Sequence, residues 1–339
     1  MDAGAAQKKR CKGTAFFSIV QENRDFLHKK YRFFWQFQKF VVSSQPNLGT
    51  MNPYIQSLRL RTLPLSVAGI ILGAGLAGAE LGFENCDSHF LLVFGLAVLT
   101  ALSLQILSNL SNELGDAQKG TDTDQQERAA YGLQSGKITI RQMKGMIGLF
   151  LGLSILFGSA LIYSAFGTLW SIQSLGFLFL GLLAVCGAVF YTLGKHNYGY
   201  IGLGDLGVFL FFGLLSTAGA YYLEMQKVSW EVLWCGAAIG APCVGVLNLN
   251  NIRDMANDRA HGKRTFASLL GPTGARVYHY SLLLFSLTTF ICLGHYWVGL
   301  IVPVWAWHVR YVGTHTEKLD RQMPVLMFST LIVSILTLF

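Results

Sequence analysis

Two short stretches of this 339-residue chain combine carboxylates, amides and bases in a pattern suited to chemistry on a charged substrate. In the first stretch, Asn112 and Asp116 are four residues apart. In the second, Asn250, Asp254 and Asp258 repeat that spacing over two turns. Residues four apart share one face of a helix, so each stretch presents a stripe of oxygen atoms. The two Asn/Asp pairs are offset by the same 138 positions, which indicates an internal repeat whose halves face each other across one site.

The side chains in these stretches favour a magnesium-bound diphosphate as the ligand. Carboxylates held close together need cations to offset their repulsion. The stripes contain only oxygen ligands, which favours a hard ion such as Mg²⁺, and Mg²⁺ usually shares its shell with a phosphate-bearing substrate. The bases interleaved with them suit the remaining phosphate oxygens and are Lys119, Arg253, Arg259 and Lys263. A solvated connector of mixed charge is the alternative for one stretch alone, and the second copy weighs against it.

Long apolar segments must position these stretches. The chain is 52% hydrophobic and 13% charged, about half the charged fraction usual for soluble domains. We predict an all-α, polytopic membrane protein of about nine helices around a central cavity, because lipid cannot satisfy an open sheet edge. The predicted spans are 63–80, 90–110, 145–166, 174–193, 203–223, 230–250, 276–296, 297–311 and 323–339. The six cysteines form no CxxC pair, so neither a zinc site nor a disulfide framework is expected.

The distribution of basic residues predicts the orientation of these spans. With the N-terminus inside, 25 of the 26 Lys and Arg residues fall on the inner side, and only Lys227 falls outside. This asymmetry places both polar stretches in the cytoplasm. Anionic lipid of the inner leaflet explains the net charge of +8, so no nucleic-acid partner is predicted. No protein partner is predicted either.

The first 50 residues differ from the rest of the chain. They carry nine Lys and Arg residues and an aromatic stretch at 33–37, without the apolar core of a signal peptide. We interpret residues 1–50 as a basic extension, either interfacial or not native to the protein, and residues 51–339 as the membrane domain.

Four segments resemble the UbiA superfamily of prenyltransferases, and more narrowly its naphthoate branch. They are LRLRTLP at 58–64, NELGDAQKGTDTD at 112–124 with LQSGKIT at 133–139, YTLGKHNYGYIGLGD at 191–205, and NNIRDMANDRAHGKRT at 250–265. The chain departs from the superfamily pattern at Glu113, where Asp is usual, and at Gly120, where a third acid is usual and Asp122 must substitute. Ala129, Ala130 and Tyr131 replace a Gly-Pro and a basic residue of the branch.

The resemblance implies a UbiA-type fold and Mg²⁺-dependent transfer of a polyprenyl group from its diphosphate to 1,4-dihydroxy-2-naphthoate. Carbon dioxide would leave and demethylmenaquinone would form, at a bacterial inner membrane. The implied catalytic and metal-binding residues are Asp116, Asp254 and Asp258, supported by Asn112 and Asp122. The implied diphosphate contacts are Arg59, Lys119, Lys195, Arg253 and Lys263. Tyr198 is the candidate for orienting the aromatic acceptor, and a tyrosine of the interfacial aromatic belt is the alternative at this position.

Two other functions remain as alternatives. One is a prenyltransferase of another branch, with 4-hydroxybenzoate as acceptor, against which the segments at 133–139 and 191–205 argue. The other is a cation or phosphate transporter, whose acids should lie within the spans rather than at their ends. The histidines near helix ends are expected to be interfacial and without catalytic roles, including His279 and His308.

Overall fold

The computed structural model describes residues 52–120, 132–133, 135–194, 197–315 and 319–339. Every regular element within these ranges is helical, which confirms the predicted fold class. Nine long helices follow in chain order, here α1 to α9. They are α1 (Leu63–Leu81), α2 (Ser88–Lys119), α3 (Ile140–Phe166), α4 (Ile172–Phe190), α5 (Gly204–Met225), α6 (Trp230–Arg253), α7 (Phe266–Cys292), α8 (Val302–Thr314) and α9 (Gln322–Leu336).

Each predicted apolar segment falls in one of these helices, but only seven described helices are long and apolar enough to cross a membrane: α1 to α6 and α9 with the turn before it. Helix α8 has 13 residues, about 20 Å, which is shorter than a hydrocarbon core. Helix α7 is interrupted at Gly271, whose φ of 72° is left-handed. Nine crossings therefore stay a prediction, whereas a multi-pass membrane protein is established.

Helix α2 extends well beyond its predicted apolar span. The side chain of Asp87 caps its first turn by accepting from the Phe90 N–H at 2.9 Å, and Gly120 ends it with a φ of 69°. Its 32 residues make a rod of about 48 Å, longer than the hydrocarbon core. The last turns of α2 therefore carry Asn112 and Asp116 out of the apolar layer on a rigid element.

Helix α6 lies at the centre of the described bundle, and glycines let its neighbour approach closely. A Cβ on Gly213 of α5 would lie 2.6 Å from Gly240 Cα and 2.7 Å from the Gly236 carbonyl oxygen. Small residues at such a crossing are typical of membrane helix pairs. The hydrophobic effect does not drive helices together within lipid, so close van der Waals packing of the two backbones stabilises the pair instead. Around this crossing, residues 209–215 of α5 form a π-helical segment.

Two histidines expected at the interface are instead in the core, so that expectation was wrong. His279 of α7 and His308 of α8 are fully buried, with their Nε2 atoms 2.9 Å apart. His308 Nδ1 lies 2.8 Å from Gln322 Oε1 at the start of α9. These contacts link the three side chains and tie the last three helices together.

Candidate active site

A cavity of about 410 Å³ lies between helices α1 to α6. Its wall on α2 runs from Ala97 to Asp116, about 28 Å along the helix. The lining of the whole cavity is mostly apolar, and its charged side chains gather at one end. The residues at the polar end are Arg59, Asn112, Asp116, Tyr198, Tyr200, Asn250, Asp254, Asn257, Asp258 and Lys263. The two Asn/Asp motifs therefore share one cavity, as their common spacing predicted.

The first motif is braced by the connector between α4 and α5. Thr192 Oγ donates to Asn112 Oδ1 at 2.7 Å, and Lys119 Nζ donates to the Thr192 carbonyl at 2.7 Å. Close approach is possible because a Cβ on Gly115 would lie 2.7 Å from the Thr192 Cγ2 atom. Helix α2 and the connector thus hold the Asn112 amide in one orientation toward the cavity.

Tyr200 joins the two motifs, and the sequence did not single it out. Its hydroxyl donates to Asp116 Oδ1 at 3.4 Å. The Lys119 ammonium lies 3.8 Å from the ring centroid and the Lys263 ammonium 5.6 Å. The negative electrostatic potential of the ring face attracts ammonium groups at such distances, so Tyr200 stabilises both lysines. The only sequence signal was that Tyr200 lies in the connector segment at 191–205.

Asp258 presents a carboxylate that fits a bound cation. The residue is 3% exposed, and Lys263 Nζ donates to its Oδ1 at 3.2 Å. Its Oδ2 is buried and has no hydrogen-bond partner among the described residues. Burial raises the pKa of Asp258 to about 6; Lys263 opposes the rise, and Asp254 adds to it. A buried acceptor oxygen without a donor is costly, and a divalent cation would remove that cost.

Asp254 and Arg253 form an ion pair at the end of α6. Arg253 Nε lies 2.7 Å from Asp254 Oδ1, and its Nη2 lies 2.7 Å from Oδ2. The remaining Nη1 atom bonds to Asp320 before α9. Burial raises the pKa of Asp254, although the adjacent guanidinium acts against it. This geometry uses Arg253 to fix the Asp254 carboxylate, which is not the diphosphate contact inferred from the sequence.

Replacing Arg253 by lysine tests which of these two roles applies. A single ammonium cannot hold both oxygens of Asp254 and also reach Asp320. We expect Arg253→Lys to raise the Mg²⁺ concentration for half-maximal activity about tenfold, since a loosened ligand should weaken metal affinity about 10–100-fold. Asp320→Asn, which alters only the outer contact, should shift it less in the same direction. An unchanged Mg²⁺ requirement with a raised KM for the diphosphate would return Arg253 to substrate binding.

The other candidate phosphate ligands separate into groups. Arg59 and Lys263 line the cavity, and their roles as diphosphate contacts stay predictions. Arg59 also has a left-handed backbone, with a φ of 51°, and such conformations in non-glycine residues cluster at functional sites. Lys119 is engaged with Thr192 and Tyr200, as described above. Lys195 and Asp122 lie outside the described residues, so their roles stay predictions.

Tyr198 lies in the cavity wall, at the start of the short 3-10 helix that ends at Tyr200. Its hydroxyl donates to the Gly187 carbonyl at 2.9 Å, and its ring meets that of Tyr191 edge to face, 5.2 Å between centroids. Burial raises the pKa of Tyr198 to about 12. A neutral, fixed ring is suited to packing against an apolar or aromatic ligand, and its hydroxyl is already used by the protein.

Glu113, where the superfamily pattern has aspartate, serves the scaffold. Its side chain is fully buried, and its Oε1 accepts from Ser57 Oγ at 3.2 Å and from the Leu133 N–H at 2.8 Å. Glu113 therefore secures the helix at Pro53–Leu58 and the 132–138 turn against α2. The departure from the pattern has a structural explanation at this position.

The donor set fits Mg²⁺ only if a substrate completes it. In the part of the chain that is described, no three His, Cys, Asp or Glu side chains are close enough to hold an ion by themselves. Amide oxygens are available beside the carboxylates, from Asn112, Asn250 and Asn257. Because Mg²⁺ commonly uses one or two carboxylates and takes its other oxygens from phosphate and water, this arrangement is compatible with a metal–diphosphate complex.

These features define a class: a multi-pass helical membrane protein whose central cavity carries two facing Asn/Asp motifs at one end. The sequence matches the UbiA prenyltransferase family over residues 66–332, and the chain therefore belongs to that family. Membership makes it a prenyltransferase, as the resemblance implied.

The chain is similar to curated relatives and to solved structures. It is 39% identical over 264 residues to 1,4-dihydroxy-2-naphthoate octaprenyltransferase of Escherichia coli (strain K12), covering 78% of this chain and 82% of the relative. It is 31% identical to the Mycobacterium tuberculosis protein of that name, covering 73% and 81%. A UbiA homologue from Aeropyrum pernix K1 has the same fold, with a TM-score of 0.57, 17% identity, and coverage of 84% of this chain and 99% of that one.

Proposed function

We propose that this enzyme transfers a polyprenyl group from polyprenyl diphosphate to 1,4-dihydroxy-2-naphthoate, with release of diphosphate and carbon dioxide, to give demethylmenaquinone in its reduced, quinol form. The observation that carries the proposal is the polar end of the cavity, where two Asn/Asp motifs meet above a long apolar wall. One end suits a metal-bound diphosphate and the other suits a hydrocarbon tail.

Asp116, Asp254 and Asp258 would hold Mg²⁺ jointly with the oxygens of the diphosphate, each ion taking one or two of these carboxylates, and the neighbouring asparagine amides would be further ligands. When bound, Mg²⁺ neutralises the charge that builds on the departing diphosphate. Lys263 and Arg59 supply preorganised positive charge for the other phosphate oxygens as the C–O bond breaks. Lys263 is already oriented by Asp258, at 3.2 Å. Placing these groups before the reaction lowers the barrier because little reorganisation is needed.

The apolar wall has two tasks in this reaction. It shields the allylic cation from water, so that the aromatic ring and not water captures it. It also receives the prenyl chain in the part of the cavity beyond the polar end. Tyr198, with its hydroxyl bonded to Gly187, offers a fixed ring face against which the bicyclic acceptor can pack.

The naphthoate acceptor is favoured over 4-hydroxybenzoate by the named relatives, which share up to 39% identity over most of the chain. A cavity shaped for two fused rings should bind a single ring weakly, since the missing ring forfeits a few kcal/mol of apolar burial. A transporter is disfavoured because Asp116, Asp254 and Asp258 lie at or beyond helix ends. The asymmetry of basic residues supports a bacterial inner membrane location with the polar end facing the cytoplasm.

Complementation of two quinone-deficient strains tests the acceptor. We expect the gene to restore menaquinone in a strain that lacks naphthoate prenylation and not ubiquinone in a strain that lacks hydroxybenzoate prenylation. The Asp116→Asn variant, expressed at the same level, is the inactive control. Rescue of the ubiquinone-deficient strain alone would overturn the naphthoate assignment, and rescue of neither by a correctly inserted protein would overturn both acceptors.

A further inference from the structure

A second polar cluster lines the cavity deeper than the diphosphate end. It consists of Thr62, Gln105 and Asn109, all of which lie in the cavity wall. Gln105 Nε2 donates to Thr62 Oγ1 at 3.1 Å and to Asn109 Oδ1 at 3.1 Å. The diphosphate site described above does not use this cluster, and neither sequence motif includes Gln105.

The hydrogen bonds determine which way each amide faces. Asn109 Nδ2 lies 2.9 Å from the Leu58 carbonyl, which can only accept, so this atom is the donor nitrogen. Asn109 Oδ1 is then an acceptor, and the Gln105 atom that meets it must be the donating Nε2. Gln105 Oε1 takes no part in these hydrogen bonds. It is buried and has no hydrogen-bond partner among the described residues.

The protons of the neighbouring hydroxyls are already used within the protein. Thr62 Oγ1 donates to the Arg59 carbonyl at 2.9 Å, and Ser66 Oγ donates to the Leu63 carbonyl at 2.8 Å. This wall can therefore accept hydrogen bonds but has no free proton to offer at Gln105, Thr62 or Ser66. A ligand recognised here must bring its own donor, which a phenolic hydroxyl does and a phosphate, a carboxylate or a prenyl chain does not.

The distance of Gln105 from the diphosphate end of the cavity suits an aromatic acceptor. Gln105 lies seven residues before Asn112 on α2, about 10 Å along the helix axis. That separation leaves room for a diphosphate at the polar end and a fused ring beyond its departing carbon. We infer that Gln105 Oε1 accepts a hydrogen bond from a ring hydroxyl of the hydroxyaromatic acceptor and thereby selects for it. This inference rests on the proposed function, whose acceptor it positions.

The test combines substitution of Gln105 with naphthoates that lack one of the two ring hydroxyls. Affinities are measured for 1,4-dihydroxy-2-naphthoate, 1-hydroxy-2-naphthoate and 4-hydroxy-2-naphthoate, with Mg²⁺ and a non-hydrolysable prenyl diphosphate present. In the wild-type enzyme, we expect one monohydroxy acid to bind about tenfold more weakly than the dihydroxy acid, because Oε1 is left unpaired. In Gln105→Leu, that difference should disappear, whereas the affinity for the prenyl diphosphate should stay unchanged.

Two further variants keep the result interpretable. Gln105→Met has a side chain of similar length and no oxygen. It should give the same result as Gln105→Leu, which would show that the loss of the oxygen, and not disturbed packing by the branched leucine, removes the preference. Ser103→Ala is the matched control on α2, since within the described part of the chain the Ser103 hydroxyl bonds only to the Leu99 carbonyl of its own helix, at 2.8 Å. It should leave all three affinities as in the wild type.

The outcomes separate the inference from the proposed function. If the wild-type enzyme binds the naphthoates but the preference persists in both Gln105 variants, the inference is wrong and a water molecule satisfies Oε1. If the wild-type enzyme shows no hydroxyl preference, the inference is likewise wrong, although the proposed function stands. If it binds no naphthoate while binding the prenyl diphosphate, the acceptor assignment fails, and the inference fails with it.

Discussion

Asp258→Asn and Asp116→Asn should each give a folded protein with about a thousandth of wild-type turnover or less. Asparagine has the same shape as aspartate but lacks the charge that a divalent cation requires. Removing one metal ligand should cost about 4 kcal/mol of transition-state stabilisation, which corresponds to a rate loss of about 10³. Asp258 should be the more sensitive of the two, because its Oδ2 is buried without a hydrogen-bond partner in the described structure and so has the most to gain from a cation.

The measurement is prenyl transfer by purified enzyme in detergent, at saturating Mg²⁺ and both substrates. Asp87→Asn is a matched control, since Asp87 lies at the opposite end of α2 and asparagine also caps helices well. The control should keep wild-type turnover. More than a tenth of wild-type turnover in either site variant would rule out a two-motif metal site, whichever acceptor is used.

Gly213→Leu should prevent the bundle from assembling. Even the first carbon of a side chain at this position would lie 2.6 Å from the Cα of Gly240 and 2.7 Å from a carbonyl oxygen of α6. Both obstacles are backbone atoms, so relief requires α5 and α6 to move apart along the wall of the cavity. We expect a loss of about 3 kcal/mol or more of stability, at the upper end for overpacking, and Gly213→Ala should already lose part of it.

The readout is the fraction of monodisperse protein on size exclusion in detergent, together with the thermal midpoint. Gly148→Leu provides the control, because Gly148 is exposed on α3 and a Cβ there meets nothing within 4 Å. It should behave as the wild type, since leucine also favours the helix more than glycine does. A Gly213→Leu protein as stable as this control would show that the close α5–α6 crossing is not needed for folding.

The sequence by itself was sufficient to predict the helices and most of the residues that form the polar end of the cavity, Tyr200 and Asn257 excepted. An apolar run in a membrane has few alternatives to a helix, because the backbone must satisfy its own hydrogen bonds. Residues four apart on such a helix share a face whatever surrounds them, so Asn112 with Asp116, and Asn250 with Asp254, could be paired from spacing alone. Their common offset of 138 then placed the pairs opposite each other, as the cavity confirms.

Tertiary structure decided what each side chain meets, which spacing does not contain. Arg253 and Lys263 looked equivalent as bases beside acids, yet Arg253 joins Asp254 to Asp320, whereas Lys263 faces the cavity. His279 and His308 were assigned to the interface because each lies near a helix end, but they bond to each other in the core. Gln105 drew no attention because its partner Thr62 is 43 positions away. Helical periodicity fixes the face on which a residue lies, and only the packing of distant segments determines what stands opposite that face.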